Sequence, residues 1–263
     1  MSNGERGGFP FRAFVPNAIT ALALCFGLTG VRFGITAEWP QALACIVGAG
    51  VLDGFDGRIA RLLRAQSKFG AELDSLSDNI AFGTAPALIL FLWSLQYAPS
   101  FGWIAALALA VSCALRLARF NARIDADFQP HKSAGFNTGV PAPVGAGLAF
   151  VPLYLWLISG EAMFQDWRLV LPWTLFIALL MISSVPTYSW GSIRIRRGWR
   201  LFALGGVALL GAALLNEPWL TLLAISAIYL ALLPFSIASY AAVRRRRAAP
   251  PAGTPVPPPY SAD

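Results

Sequence analysis

Eight apolar runs, at residues 14–34, 40–63, 78–97, 101–120, 140–159, 169–186, 201–215 and 218–240, take up most of the 263-residue chain. A helix rises only about 1.5 Å per residue, so it needs about 20 apolar residues to cross a hydrocarbon core roughly 30 Å thick. In that core every backbone N–H and C=O has to find its partner within the protein, and a helix supplies those partners locally. The runs therefore predict an all-α, polytopic integral membrane bundle of about eight transmembrane helices, the seventh being the shortest. Turn signals separate the runs at Glu38-Trp39-Pro40, Tyr97-Ala98-Pro99-Ser100, Gly160-Glu161 and Asn216-Glu217-Pro218.

Composition excludes the soluble alternative. Charged residues make up 13% and apolar residues 57%, whereas a soluble domain carries roughly 25% charge. Mean hydropathy is +0.61. A soluble helical protein needs a polar face on each helix, and most of these runs have none. The start shows no cleavable signal sequence: it is Gly-rich and polar, and the first apolar run is long enough to stay in a bilayer. Residues 1–13 form a cytoplasmic N-terminal segment, 14–243 the transmembrane domain, and 244–263 a basic and then Pro-rich tail too polar to pack. Cys25, Cys45 and Cys113 each stand alone in an apolar run, as small core residues do. The single histidine, His131, excludes a His-rich metal site.

The basic residues orient the bundle. Of the 20 Lys and Arg, all but Arg32 and Arg168 fall in the N-terminal segment, the even-numbered loops or the tail. The positive-inside rule then puts both termini in the cytoplasm. The net charge of +7 has the same origin. These residues, Arg244–Arg247 included, meet anionic headgroups rather than nucleic acid, because they lie in short loops between spans or next to one.

Four aspartates interrupt this apolar pattern, at Asp53, Asp56, Asp74 and Asp78. A charge in hydrocarbon costs roughly 2.5–3.5 kcal/mol on insertion scales, so such residues face a cavity or one another. Only 13 residues separate Pro40 from Leu52, inclusive, about 20 Å of helix. The second helix therefore continues through Asp53 and Asp56 towards Leu63, with the acids near the cytoplasmic interface. Asp53 and Asp56 are spaced i,i+3, and Asp74 and Asp78 are spaced i,i+4 on the next helix, so each pair shares a face. Gly57, Ala60 and Arg61 lie on the first face; Gly70, Ser77 and Ala81 lie on the second. Small side chains leave room beside the acids, and a turn near Ala65–Lys68 brings the two faces together. Clustered carboxylates repel unless a cation neutralises them. Oxygen ligands without His or Cys suit a hard cation, Mg²⁺ or Mn²⁺, and four of them have room for two ions. Such ions keep positions for substrate phosphate, and Arg61 is placed to meet one. The chemistry is metal-dependent phosphate transfer; a structural network of Asp with Arg58, Arg61 or Arg64 is the plainer reading of the same residues.

The pattern Asp53-x-x-Asp56-Gly57-x-x-Ala60-Arg61, eight residues, Gly70-x-x-x-Asp74-x-x-x-Asp78 resembles the complete signature of the CDP-alcohol phosphotransferase family. The resemblance implies a cytidine-diphosphate donor, a divalent metal, release of CMP, and a homodimer with six core helices, to which this chain adds two. It implies Asp53, Asp56 and Asp74 as metal ligands, with Asp78 a ligand or the general base. Gly57, Ala60 and Arg61 then line the nucleotide pocket, and Gly70 allows close approach. Asn17 follows Pro16 at the start of the first helix, a capping position; by resemblance it lines the nucleotide site. "VPNAITALALCFGLTG", "LRLARFNAR", "FNTGVPAPVGAG" and "SSVPTYSWGSIRIRR" are similar to the bacterial serine-accepting branch, so the substrates implied are CDP-diacylglycerol and L-serine at a bacterial inner (plasma) membrane. The "GVPAP" stretch departs mildly from that branch's usual form. Asp78 would take the proton of the serine hydroxyl. The serine carboxylate needs a cation, and Arg116, Arg119, Arg123, Asn121 and Lys132 are candidates, with Arg119 favoured. Asp125 and Asp127 lie outside the signature and are expected to be solvated loop acids. Two alternatives remain: another acceptor alcohol (glycerol 3-phosphate, inositol phosphate or choline), or a divalent-cation transporter using the same acids.

Overall fold

The computed structural model describes residues 11–124, 136–183, 186–188 and 200–248. Asp125, Asp127, His131, Lys132, Arg194, Arg196, Arg197 and the Pro-rich tail lie outside the described residues, as do the side chains of Arg12, Arg123 and Arg244–Arg247.

Helices follow the apolar runs in order. They are α1 (Phe11–Ile35), α2 (Trp39–Leu62), α3 (Lys68–Asp78), α4 (Ala85–Trp93), α5 (Phe101–Ile124), α6 (Ala142–Ala149), α7 (Val151–Ser159), α8 (Trp167–Ile182), α9 (Arg200–Asn216) and α10 (Pro218–Ala248). A π-helical turn, Asn79–Thr84, joins α3 to α4 as one rod. α6 and α7 form a second composite rod, bent by 41°. One feature departs from the expected all-α fold. Phe136–Thr138 (β1) and Pro186–Tyr188 (β2) pair antiparallel, Phe136 opposite Tyr188. Three-residue strands are too short to leave an alternating pattern, so the sequence does not announce this ribbon.

Local chemistry explains the boundaries. Pro40 and Pro86 sit in the first turns of α2 and α4, where a missing N–H costs nothing. α2 runs through both of its aspartates, as its length requires, and ends on Arg64 in the left-handed region (φ 50°). There the Ala65 N–H returns to the Ala60 carbonyl at 2.9 Å. Ser67 caps α3 by accepting from the Gly70 N–H at 3.0 Å. This cap starts α3 ten residues before the apolar run at 78 and gives Asp74 and Asp78 their helical frame. Asp166 caps α8 through the Arg168 N–H, and Gly160, at φ 72°, ends α7.

Among the described residues, four helices are long and apolar enough to cross a membrane: Phe14–Ile35, Lys68–Trp93, Phe101–Ala122 and Pro218–Phe235, or five with the bent α6–α7 rod. α8 and α9 are shorter apolar helices. α2 falls short of the same measure because Asp53, Asp56, Arg58 and Arg61 crowd its second half.

α1 is the helix around which the site is assembled. It packs along α2 and also along α3, the π turn and α4; α2 and α3 touch each other little. The approach is close because small residues face each other. A β-carbon on Gly27 would stand 2.8 Å from the Ala81 Cα, and one on Gly30 would stand 3.0 Å from the Ala42 carbonyl oxygen. Small-residue contacts of this kind are how helices associate in lipid, where water expulsion drives nothing. Further from the site, buried Trp93 meets Trp156 edge-on at 6.0 Å. Cys45 and Cys113 are buried as expected, but Cys25 is exposed on the outer face of α1. An apolar run that faces lipid leaves no periodicity to tell its two sides apart.

Gly27→Val forces its side chain into the Ala81 backbone. It is expected to destabilise the protein by about 1–3 kcal/mol, read as a lowered thermal unfolding midpoint in detergent, whereas Gly54→Ala, which meets open space, should leave the midpoint unchanged.

Candidate active site

The site lies where the start of α1, the end of α2, α3 and the second half of α5 come together. Carboxylate oxygens of Asp53, Asp56 and Asp74 lie within 4.8 Å of one another. Oxygens bound to one Mg²⁺ at about 2.1 Å are separated by about 3 to 4.2 Å, so small side-chain rotations bring all three onto one ion. The donor set is oxygen only, Asp56 is buried at 5% exposure, and like charges this close call for a cation. The residues fit a hard divalent metal.

Asp78 is set apart from this triad. It lies one turn further along α3, within hydrogen-bonding reach of the Asp53 carboxyl. Two carboxyl groups at that distance need a proton or a cation between them. Arg116 of α5 is near enough for its charge to act on both Asp53 and Asp78, and Tyr229 of α10 is within the same reach of Arg116. The Arg116 Nε is buried with no hydrogen-bond partner.

On the other side of the triad a cleft of about 350 Å³ opens. Asn17, Gly57, Ala60, Arg61 and Gly70 all line it, together with Asp56 and Asp74. Gly57 faces open space, so the wall beside Asp56 is bare backbone. A β-carbon on Gly70 would stand 2.9 Å from the Asn17 Oδ1 and 3.2 Å from the Ser67 Oγ. Glycine at 70 is what lets α1 bring Asn17 against the start of α3.

The acidic face of α3 differs from its expected form in one respect. Gly70 and Ala71 clear space, but Ser77 and Ala81 do not. Ser77 is 2% exposed and donates to the Thr20 carbonyl at 3.1 Å. Ala81, one turn on from Ser77, likewise packs against α1, at Gly27. On α5, the Arg119 Nη1 donates to the Ile182 carbonyl at 2.8 Å, tying α5 to the end of α8. Asn121 Nδ2 donates to the Ser75 Oγ at 2.9 Å, tying α5 to α3. Of the α5 candidates with described side chains, Arg116 is the one whose charge reaches the aspartates. Thr20 was missed by motif reading. Its Oγ1 donates to the Asp56 Oδ2 at 2.7 Å. Its one signal was its place, a helical turn after Asn17 on the same face of α1.

Comparison with known proteins agrees with this geometry. The family described as CDP-alcohol phosphatidyltransferase matches residues 13–184, and a second, described as CDP-alcohol phosphatidyltransferase 2, matches residues 198–234. A CDP-diacylglycerol–serine O-phosphatidyltransferase of Mycobacterium leprae is 36% identical over 223 residues, covering 85% of this chain and 74% of that protein. The protein of the same description from Mycobacterium tuberculosis is 36% identical over 225 residues, covering 86% and 78%. One from Helicobacter pylori is 31% identical over 173 residues, covering 65% and 70%. The match spans the acidic helices, the cleft and the α5 wall alike, and the chain belongs to the CDP-alcohol phosphatidyltransferase family.

Proposed function

We infer that this protein transfers the phosphatidyl group of CDP-diacylglycerol to the hydroxyl of L-serine, forming phosphatidylserine and releasing CMP. The observation that carries the reading is the join between the aspartate triad and the cleft. A carboxylate cluster fit for a divalent metal forms one end of a groove lined by Asn17, Gly57, Ala60, Arg61 and Gly70. A nucleoside diphosphate needs that combination: room for the nucleoside, and charge neutralisation where the pyrophosphate lies. The serine-specific names of the relatives supply the acceptor.

Asp53, Asp56 and Asp74 would hold the metal, Mg²⁺ or Mn²⁺, and Asp78 would be the further ligand if a second ion binds. Bound metal neutralises phosphoryl oxygens and the CMP leaving group. Arg61, on the cleft wall, steadies the donor phosphates. Asp78 accepts the proton of the serine hydroxyl, whose oxygen forms the new bond to the diacylglycerol-side phosphorus as the bond to CMP breaks. Arg116 takes the role first expected of Arg119. Its guanidinium carries a buried, unpaired Nε donor and its charge reaches Asp78, beside which the serine carboxylate would be held, while Arg119 is engaged with a backbone carbonyl.

The reading extends to topology. The eight rods cross the membrane as six core helices and two added ones, α9 and α10, with both termini and the site at the cytoplasmic face of a bacterial plasma membrane. The placement of nearly all Lys and Arg in the corresponding loops supports it. The enzyme works as a homodimer. Its acids gather at one end of the bundle, which disfavours a cation transporter, because transport needs access from both sides.

Purified protein with Mn²⁺ and CDP-diacylglycerol should release CMP with L-serine and not with glycerol 3-phosphate, inositol phosphate or choline. Chelation by EDTA should abolish release, and Asp74→Asn or Asp78→Asn should do so without loss of the folded state. Full activity in either variant would sink the assignment. Arg116→Lys removes the planar fork that matches a carboxylate, an interaction worth roughly 1.5–3 kcal/mol. The serine KM is expected to rise about tenfold or more with the CDP-diacylglycerol KM little changed; an effect confined to CDP-diacylglycerol would move Arg116 to the donor side.

A further inference from the structure

Thr20 stands where three helices meet. Its Oγ1 donates to the Asp56 Oδ2 on α2 at 2.7 Å, and its backbone carbonyl accepts from the Ser77 Oγ on α3 at 3.1 Å. Thr20 and Asp56 are each 5% exposed and Ser77 is 2% exposed, so bulk water does not compete for these groups. The Thr20 hydroxyl also lies 3.1 Å from the Pro16 carbonyl. A hydroxyl has one proton, and the shorter contact, to a charged oxygen, takes it. β-branching leaves a helical threonine two χ1 wells, and the one occupied here sets Oγ1 between the Pro16 carbonyl and Asp56.

Asp56 belongs to the triad, and Ser77 lies one turn along α3 from Asp74. One residue of α1 thus grips both acidic helices at the height of the carboxylates, while the two helices touch each other little. We propose that Thr20 is a positioning residue for the divalent-cation site: its hydroxyl fixes the rotation of the Asp56 carboxylate, and its carbonyl fixes α3 beside Asp74, so the spacing between the two ligands is set from α1. Thr20 lines the cleft beside Asp56, and its hydroxyl donates to that carboxylate. A second partner that orients a metal ligand is commonly worth 10–100-fold in metal affinity. Were Thr20 only a packing residue, valine, its near-isostere, would serve equally well.

The proposal rests on the metal reading above, and the test separates the two. The full-length protein in detergent is titrated with Mn²⁺ alone, free ion being followed by its electron paramagnetic resonance signal, and unfolding midpoints are measured in EDTA. Thr20→Val is expected to weaken Mn²⁺ binding by about 10–100-fold, with Thr20→Ser, which restores the hydroxyl, within about threefold of the parent. The Mn²⁺ concentration giving half-maximal CMP release should rise in step, with kcat at saturating metal largely kept. If Thr20→Val has no unfolding transition in EDTA, Thr20→Ala, which leaves space for a water, is judged by the same criterion. Unchanged Mn²⁺ affinity in the hydroxyl-free variant overturns the proposal and leaves the metal reading standing. Equal weakening in Thr20→Ser and Thr20→Val also overturns it, because the methyl group and not the hydroxyl would then matter. Absence of Mn²⁺ binding by the parent protein overturns both.

Discussion

Mutual repulsion of the aspartates is the constraint to which the rest of the structure answers. At an effective dielectric of about 20, two unit charges 4.8 Å apart repel by roughly 3 kcal/mol. Three such pairs approach the whole stability of an ordinary domain, about 5–15 kcal/mol. A chain can hold carboxylates at this separation only with a counter-charge between them and a scaffold stiff enough not to spread. A divalent metal fits that need at the triad, and beside Asp78 the Arg116 guanidinium supplies positive charge. The scaffold is α1.

This division explains why so much of the sequence near the site is small. Helices that approach closely transmit position precisely, and the glycines at 27, 30 and 70 let α1 lie against the backbones of its neighbours. Polar ties then set the height. Thr20 holds Asp56, Ser77 holds the Thr20 carbonyl, and Asn121 holds Ser75 from α5. In lipid these bonds replace the hydrophobic drive that locks soluble cores. They lie at the end of the bundle where the repulsion has to be resisted.

Much of this was legible in the chain. Apolar runs mark the rods because a bilayer imposes a length, and the length of α2 forces its helix through Asp53 and Asp56. The i,i+3 and i,i+4 spacings place each acid on a face. Three things stay hidden. The π turn at Asn79–Thr84 has no residue signal of its own, and that Ser77 and Ala81 turn to α1 rather than to the site shows only in three dimensions. The β1–β2 ribbon is too short to have a period. Among the basic residues of α5, nothing in a one-dimensional pattern separates Arg116 from Arg119. The distinction depends on whether a neighbouring backbone carbonyl, that of Ile182, happens to be in reach.

The bend of function follows the bend of the walls. Asn17, Gly57, Ala60, Arg61 and Gly70 belong to α1, α2 and α3, whereas Arg116 belongs to α5, across the Asp53–Asp78 pair. The two sides of the site are thus carried by separate stretches of chain, with the carboxylates between them. Such a layout is modular in the evolutionary sense. With the cleft side reading the nucleotide and the α5 side the acceptor, as proposed, exchanging the inward residues of one helix would re-tune which alcohol is accepted, so a lineage could diversify its headgroups without reinventing its activated donor.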